Sequence, residues 1–263
     1  MEQSTSNRMG GGPPSGDPEA EAQTEWHARV NLAACYRLMA HFGMTDIIHT
    51  HISARVPGTE NEFLINPYGM LFEEVRASQL VKVNIEGDVL SDPSGMGINR
   101  AGFFIHSAVH RARPDVQCVL HAHTVATIAV SAQEPGLLPL SQHAMFLLGG
   151  IRYLDYGGFV EGEEGRAEIG KALAGGRILI LRNHGPLIAG ATAAHAFSLM
   201  HYLERACQVQ VATLMSGTRP VRPSEPVVRR MENIASAGTG PVLQREWAAL
   251  RRMLDRQDPT YAS

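Results

Sequence analysis

Residues 106–124 read HSAVHRARPDVQCVLHAHT, and one stretch carries a helix end, a turn and a strand. The apolar spacing of RAGFFIHSAVHRA (100–112) predicts a helix. Arg113-Pro114-Asp115 stops it, because proline cannot continue a helix and restricts the residue before it. QCVLHAH (117–123) then reads as a buried strand. Side chains two apart on a strand share a face, so His121 and His123 point the same way, with Cα atoms roughly 7 Å apart. Two imidazoles so placed can share a divalent ion. Two core histidines bonded to backbone would look the same in sequence.

Working outward, RILILRNH (177–184) is an apolar strand ending in the turn Asn183-His184-Gly185-Pro186, with LIAG as its return. A histidine at such a turn can project into a cleft, and it can equally bond its neighbours. His106 and His110, four apart on the helix, share a face, and either could be a further ligand. In IHTHISAR (48–55), alternation puts Ile48, Thr50, Ile52 and Ala54 on one face and His49, His51, Ser53 and Arg55 on the other. His27, His41, His195 and His201 have no evident partner and read as structural.

The remaining chain gives a helix over 25–41 with Trp26, Val30, Ala34 and Leu38 on one buried face. Strands are expected at 63–65 and 80–85, the latter entering a hairpin through Glu86-Gly87-Asp88. A short helix is expected over 124–132, a strand at IRYLDY (151–156) and a long helix over 191–215 with Ala194, Leu199, Leu203 and Val209 among its apolar positions. Strands and helices mix without regular βαβ alternation, which predicts one α/β domain around a mostly antiparallel sheet. Residues 1–22 are Gly-, Pro-, Ser- and Glu-rich and read as a disordered leader. The domain is expected over 23–220. Residues 221–263 are expected to be a tail whose short helix, around 243–254, packs on it.

Composition narrows the function classes. The 263 residues carry a net charge of −3 with 23 basic and 26 acidic side chains, which weighs against nucleic acid as a partner. No apolar run approaches the roughly 18 residues of a membrane span. Cys35, Cys118 and Cys207 are odd in number and far apart, so no disulfide framework is read and the cytoplasm is the expected compartment.

The runs HISAR (51–55), INPYGM (65–70), HSAVHRARPDVQCVLHAHT (106–124) and LRNHG (181–185) together resemble the class II aldolase and adducin head family over about residues 25–215. The chain looks closest to its adducin-like bacterial branch. The resemblance implies a three-layer α/β/α domain, a homotetramer with sites at subunit interfaces, and a small-molecule substrate. It also implies an ion, Zn2+ or alternatively Mn2+ or Fe2+, held by His121, His123 and His184. A tyrosine that family aldolases supply across the interface as an acid falls at or near His143, which is the candidate catalytic acid or base.

This chain departs from the aldolase pattern. The aldolase Glu that serves as base and ligand falls on or near Gly102. The phosphate-holding serines fall on Arg100 and Ala101, the Asn on His51, and the Thr-Gly on Tyr68-Gly69. The expectation is therefore a substrate without phosphate, contacted by His51, Arg55, Tyr68 and Arg100, with Arg55 or Arg100 holding a carboxylate. His106, one helical turn beyond Gly102, is expected to supply a fourth ligand, with His110 pointing farther away. Glu73 and Glu74 are further candidate bases. The leading reading is a metal-dependent lyase working by aldol cleavage or decarboxylation. The alternatives are an Fe(II)-dependent oxygenase of an aromatic oxo acid and a non-catalytic, adducin-like scaffold.

Overall fold

The structure is a computed structural model describing residues 24–158, 162–236 and 240–263. The expected leader at 1–22 lies outside the described residues. Helix α1 (Glu25–His41) is capped by the Thr24 hydroxyl. It is followed by β1 (His51–Arg55), β2 (Glu62–Ile65), β3 (Val81–Asn84) and β4 (Val89–Ser91). Next come α2 (Arg100–Ala112), β5 (Cys118–His121), α3 (Val125–Ser131), α4 (Gln142–Leu147), β6 (Ile151–Leu154) and α5 (Gly162–Ala172). The chain continues through β7 (Ile178–Leu181), β8 (Gly185–Gly190), α6 (Ala193–Met215), α7 (Glu225–Ser236) and α8 (Gly240–Gln257).

The strands form one sheet in the order β4-β3-β2-β1-β5-β8-β7-β6. Among the described residues, only β6 and β7 pair in parallel. Alternation along the strands sends residues to the two faces of the sheet. Ile52, Ala54, Cys118, Leu120 and Ile188 pack toward α1 and α6 with Leu38, Phe197 and Met200. Val119, Leu179, Leu187 and Ala189 pack on the other face with Val109 of α2 and Ile169 of α5. This is the three-layer α/β/α arrangement with a mostly antiparallel sheet. Tyr36 of α1 ties the sheet together: its hydroxyl accepts from the backbone N–H of Ile52 at 2.8 Å and of Asn66 at 3.1 Å.

Some expectations need correction. Trp26, placed on the buried face of α1, is 46% exposed, whereas Val30, Ala34 and Leu38 are buried. Of the apolar positions expected in α6, Leu203 is buried and Val209 lies on the outer side; the helix also buries Ala196, Phe197, Met200 and Cys207. The strand expected over 117–123 ends at His121, so His123 belongs to the loop. The expected short C-terminal helix is the longer α8, and α7 precedes it. Beyond α8, Tyr261 is buried and Asp258 forms an ion pair with Arg37 of α1 at 3.0 Å.

Candidate metal centre

Register brings the site together. His51 lies opposite His121 across the β1–β5 ladder, and His121 lies opposite Leu187 across β5–β8. The β7–β8 turn therefore sits over the end of β5 and carries His184. Asn183 enters this turn with φ +57°, and Gly185 leaves it at φ +154°. A Cβ at residue 185 would collide with the Ala122 carbonyl oxygen, so glycine lets the turn close onto the His121–His123 segment.

His123 Nε2 lies 2.8 Å from His121 Nε2 and 3.0 Å from His184 Nε2. The far side of two rings is fixed. His121 Nδ1 lies 3.0 Å from the Pro186 carbonyl, which can only accept, so Nδ1 holds the proton. His123 Nδ1 lies 3.0 Å from the Asp46 carboxylate, which fixes that ring in the same way. Both Nε2 atoms are left as lone pairs facing a common point, an arrangement that repels itself unless a cation sits among them. The donor set thus fits a divalent ion. Burial, then the neighbouring histidines, pushes His121 well below the usual imidazole range. Burial, then His123, takes His184 down to about 4. Neutral rings are the ligating form.

A second group of side chains runs from this site under α2. His51 Nδ1 lies 2.7 Å from His106 Nε2, and His106 Nδ1 lies 2.7 Å from the Ser53 hydroxyl. The same hydroxyl lies 2.9 Å from His110 Nε2. All four side chains are buried. The expected fourth ligand, His106, is therefore turned away from the trio: both its ring nitrogens are taken by β1. His110 meets the Ser53 hydroxyl and none of the three Nε2 atoms. The Asn99 side chain caps α2 by accepting from Gly102 N–H at 3.1 Å. At Gly102 a Cβ would collide with Nε2 and Cδ2 of the His51 ring.

The family model for the class II aldolase and adducin N-terminal domain matches residues 30–211. The chain belongs to this family. A Pseudomonas aeruginosa protein named for the class 2 aldolases is 48% identical over 241 residues, covering 90% of this chain and 92% of that one. Mouse alpha-adducin is 42% identical over 86% of this chain, a match that spans 33% of adducin. Among solved structures, an aldolase II superfamily protein from Pseudomonas syringae superposes with a TM-score of 0.89 at 46% identity, covering 93% of this chain and 98% of that one. The L-fuculose 1-phosphate aldolase from Glaciozyma antarctica gives 0.80 at 28% identity, covering 95% and 96%.

Against the family pattern, the other expected site residues are placed as follows. Arg55 stands at the far end of β1 from His51. It donates to the Glu60 carbonyl, to the His110 carbonyl at 3.1 Å, and lies over the Phe63 ring. It is a packing residue, which corrects its expected substrate role. Arg100 is exposed in the first turn of α2, and Tyr68 is 40% exposed in the turn after β2. Glu74 accepts from Leu71 N–H at 2.8 Å, and Glu73 borders a cavity with Arg37 and Asp258. Neither joins the histidines. His143 is exposed at the start of α4, its ring 5.3 Å from that of Tyr202, and the chain's own fold does not bring it to the trio. Asp46 is a polar partner that sequence reading missed, since it falls in no ligand-spaced motif, and Ser53, read on the face of His51, had no role assigned to it.

Proposed function

We propose that this chain is a divalent-metal-dependent lyase that breaks a C–C bond, by aldol cleavage or decarboxylation, in a small hydroxy- or oxo-carbonyl compound or carboxylate without phosphate. The observation that carries this is the meeting of three Nε2 atoms, two with their protons held elsewhere. His121, His123 and His184 would hold the ion: Zn2+, with Mn2+ and Fe2+ as alternatives. When bound, it supplies Lewis-acid polarisation of a substrate carbonyl. Asp46 and the Pro186 carbonyl keep the two rings in the ligating tautomer. Arg100 and Tyr68 contact substrate, with Arg100 facing a carboxylate. His143, exposed and away from its own trio, moves a proton at the site of a neighbouring subunit in a homotetramer. The three buried, unpaired cysteines support a cytoplasmic setting.

The test is metal analysis of protein purified without chelator, followed by a cleavage screen of hydroxy and oxo acids. One ion per chain and turnover of a non-phosphorylated acid are expected. Fuculose 1-phosphate turned over at roughly 1 per second or faster would contradict the substrate class, and absence of stoichiometric metal would contradict the site. The likeness to alpha-adducin favours a second reading, a non-catalytic scaffold. An ion bound without turnover across the screen would favour it.

A further inference from the structure

Helix α8 lies against α6, and between them is a cavity of about 290 Å³ to which none of the three metal-centre histidines contributes. Five rings line it, one of them Phe42 at the end of α1. Phe42 meets His201 with centroids 4.9 Å apart and Phe197 at 5.8 Å. Phe197 meets Trp247 at 6.4 Å, and His201 meets Tyr202 at 6.2 Å. The Trp247 ring N–H donates to the Asn31 side chain at 3.4 Å, which lies outside the cavity lining. Burial, then Arg205 and His143, lowers the His201 pKa against the opposite pull of Glu246, so that ring is neutral at neutral pH.

One acid stands among the rings. Glu246 is half-buried and accepts from the Tyr202 hydroxyl at 2.7 Å and from the Ser198 hydroxyl at 3.5 Å. Burial, then that bond, pushes the Tyr202 phenol up to about 12, so the phenol keeps its proton and donates it. No Lys or Arg lines the cavity. Among the described residues Glu246 makes no ion pair. Two neutral donors leave its charge uncompensated beside a largely apolar wall.

Ring faces and a carboxylate attract a cation, while apolar walls reject one that must keep its hydration shell. A primary ammonium brings three N–H donors, and Glu246 is the one carboxylate there to meet them. A quaternary ammonium has no N–H to satisfy, and its methyl groups pack on rings. We infer that the α6–α8 cavity binds a small quaternary ammonium compound, with Glu246 as counter-charge and Phe42, Phe197, His201, Tyr202 and Trp247 as its aromatic cage. The volume is at the lower end of small-molecule sites, so the occupant is a free compound with a trimethylammonium head and a short arm.

Choline and its neutral tert-butyl isostere, neohexanol, separate charge from shape. Calorimetric titration of the full chain is expected to give choline a Kd in the millimolar range or tighter, with neohexanol about tenfold weaker. Trp26→Phe, at an exposed position of α1, leaves Trp247 as the one tryptophan, and choline should shift its fluorescence with the same Kd. Glu246→Gln keeps an acceptor for Tyr202 and removes the charge. It should weaken choline about tenfold and leave neohexanol unchanged. Phe42→Leu removes an exposed ring and should weaken choline several-fold, with circular dichroism unchanged. No saturable binding of choline, or equal affinity for the two compounds in the wild-type chain, overturns the proposal without any variant. Undiminished choline binding in Glu246→Gln overturns the counter-charge. Phosphatidylcholine vesicles that sediment the chain and are not displaced by choline would make a bilayer the occupant and overturn the free compound.

Discussion

Gly102 and His51 show how one missing side chain reorganises a site. An exposed glycine-to-alanine change in a helix ordinarily adds up to about 1 kcal/mol of stability. Here the new Cβ would meet the His51 ring. Gly102→Ala is therefore expected to destabilise by about 1–3 kcal/mol, and the loss should shrink when His51→Asn removes the ring. Urea unfolding of the single and double variants checks this. The buried rings also set a pH dependence. The folded His110 pKa of about 3 lies below the unfolded value near 6.5, and His51 and His106 are shifted the same way by burial and neighbouring rings. Their contribution is fully present above about pH 6.5 and is lost as pH falls toward 3. For the metal-free protein, urea midpoints should drop from pH 7.5 to 5, and His110→Gln should flatten that slope by up to one proton. At this scale the His-x-His and Asn-His-Gly runs were legible through the family resemblance; spacing alone left both open, and His123 lies beyond the end of β5. His106 was misread because helical periodicity gives a face but not the partner waiting on it. Asp46 reaches His123 across 77 residues, a distance no local pattern spans.

Elements were legible where packing imposes a period. Helix α2 was expected over 100–112 and spans Arg100–Ala112. Helices α4, α5 and α7 escaped notice for physical reasons. The six residues of α4 are too few to show a repeat, and α5 buries only Gly165 and Ile169. Helix α7 buries none, so no apolar stripe is required of it. The β7–β8 turn is the element on which the site depends most. Gly185→Ala should push the turn off the Ala122 carbonyl and carry His184 away from its partners. The expected result is weaker Co2+ binding in a spectroscopic titration, with the sheet preserved by circular dichroism. Unchanged affinity would show that the turn tolerates the displacement.

For the whole molecule, the fold class followed from motif and mixed composition, but the strand order did not. Helix α2 carries the chain from edge strand β4 back past three strands, so that β5 pairs with β1. That return is a tertiary choice, since it depends on which sheet edge offers β5 a partner. The same layout governs timing. His123 and His184 are 61 residues apart, and they meet only once β8 has docked on β5. Closing so long a loop is a slow, late event in a chain rich in distant pairings. An added ion would find no preformed ligand set early in refolding, so it cannot serve as a nucleus. In stopped-flow refolding, the Co2+ absorption band should rise with the slowest kinetic phase, and raising the Co2+ concentration should leave the earlier phases unchanged. The metal would report that folding has finished.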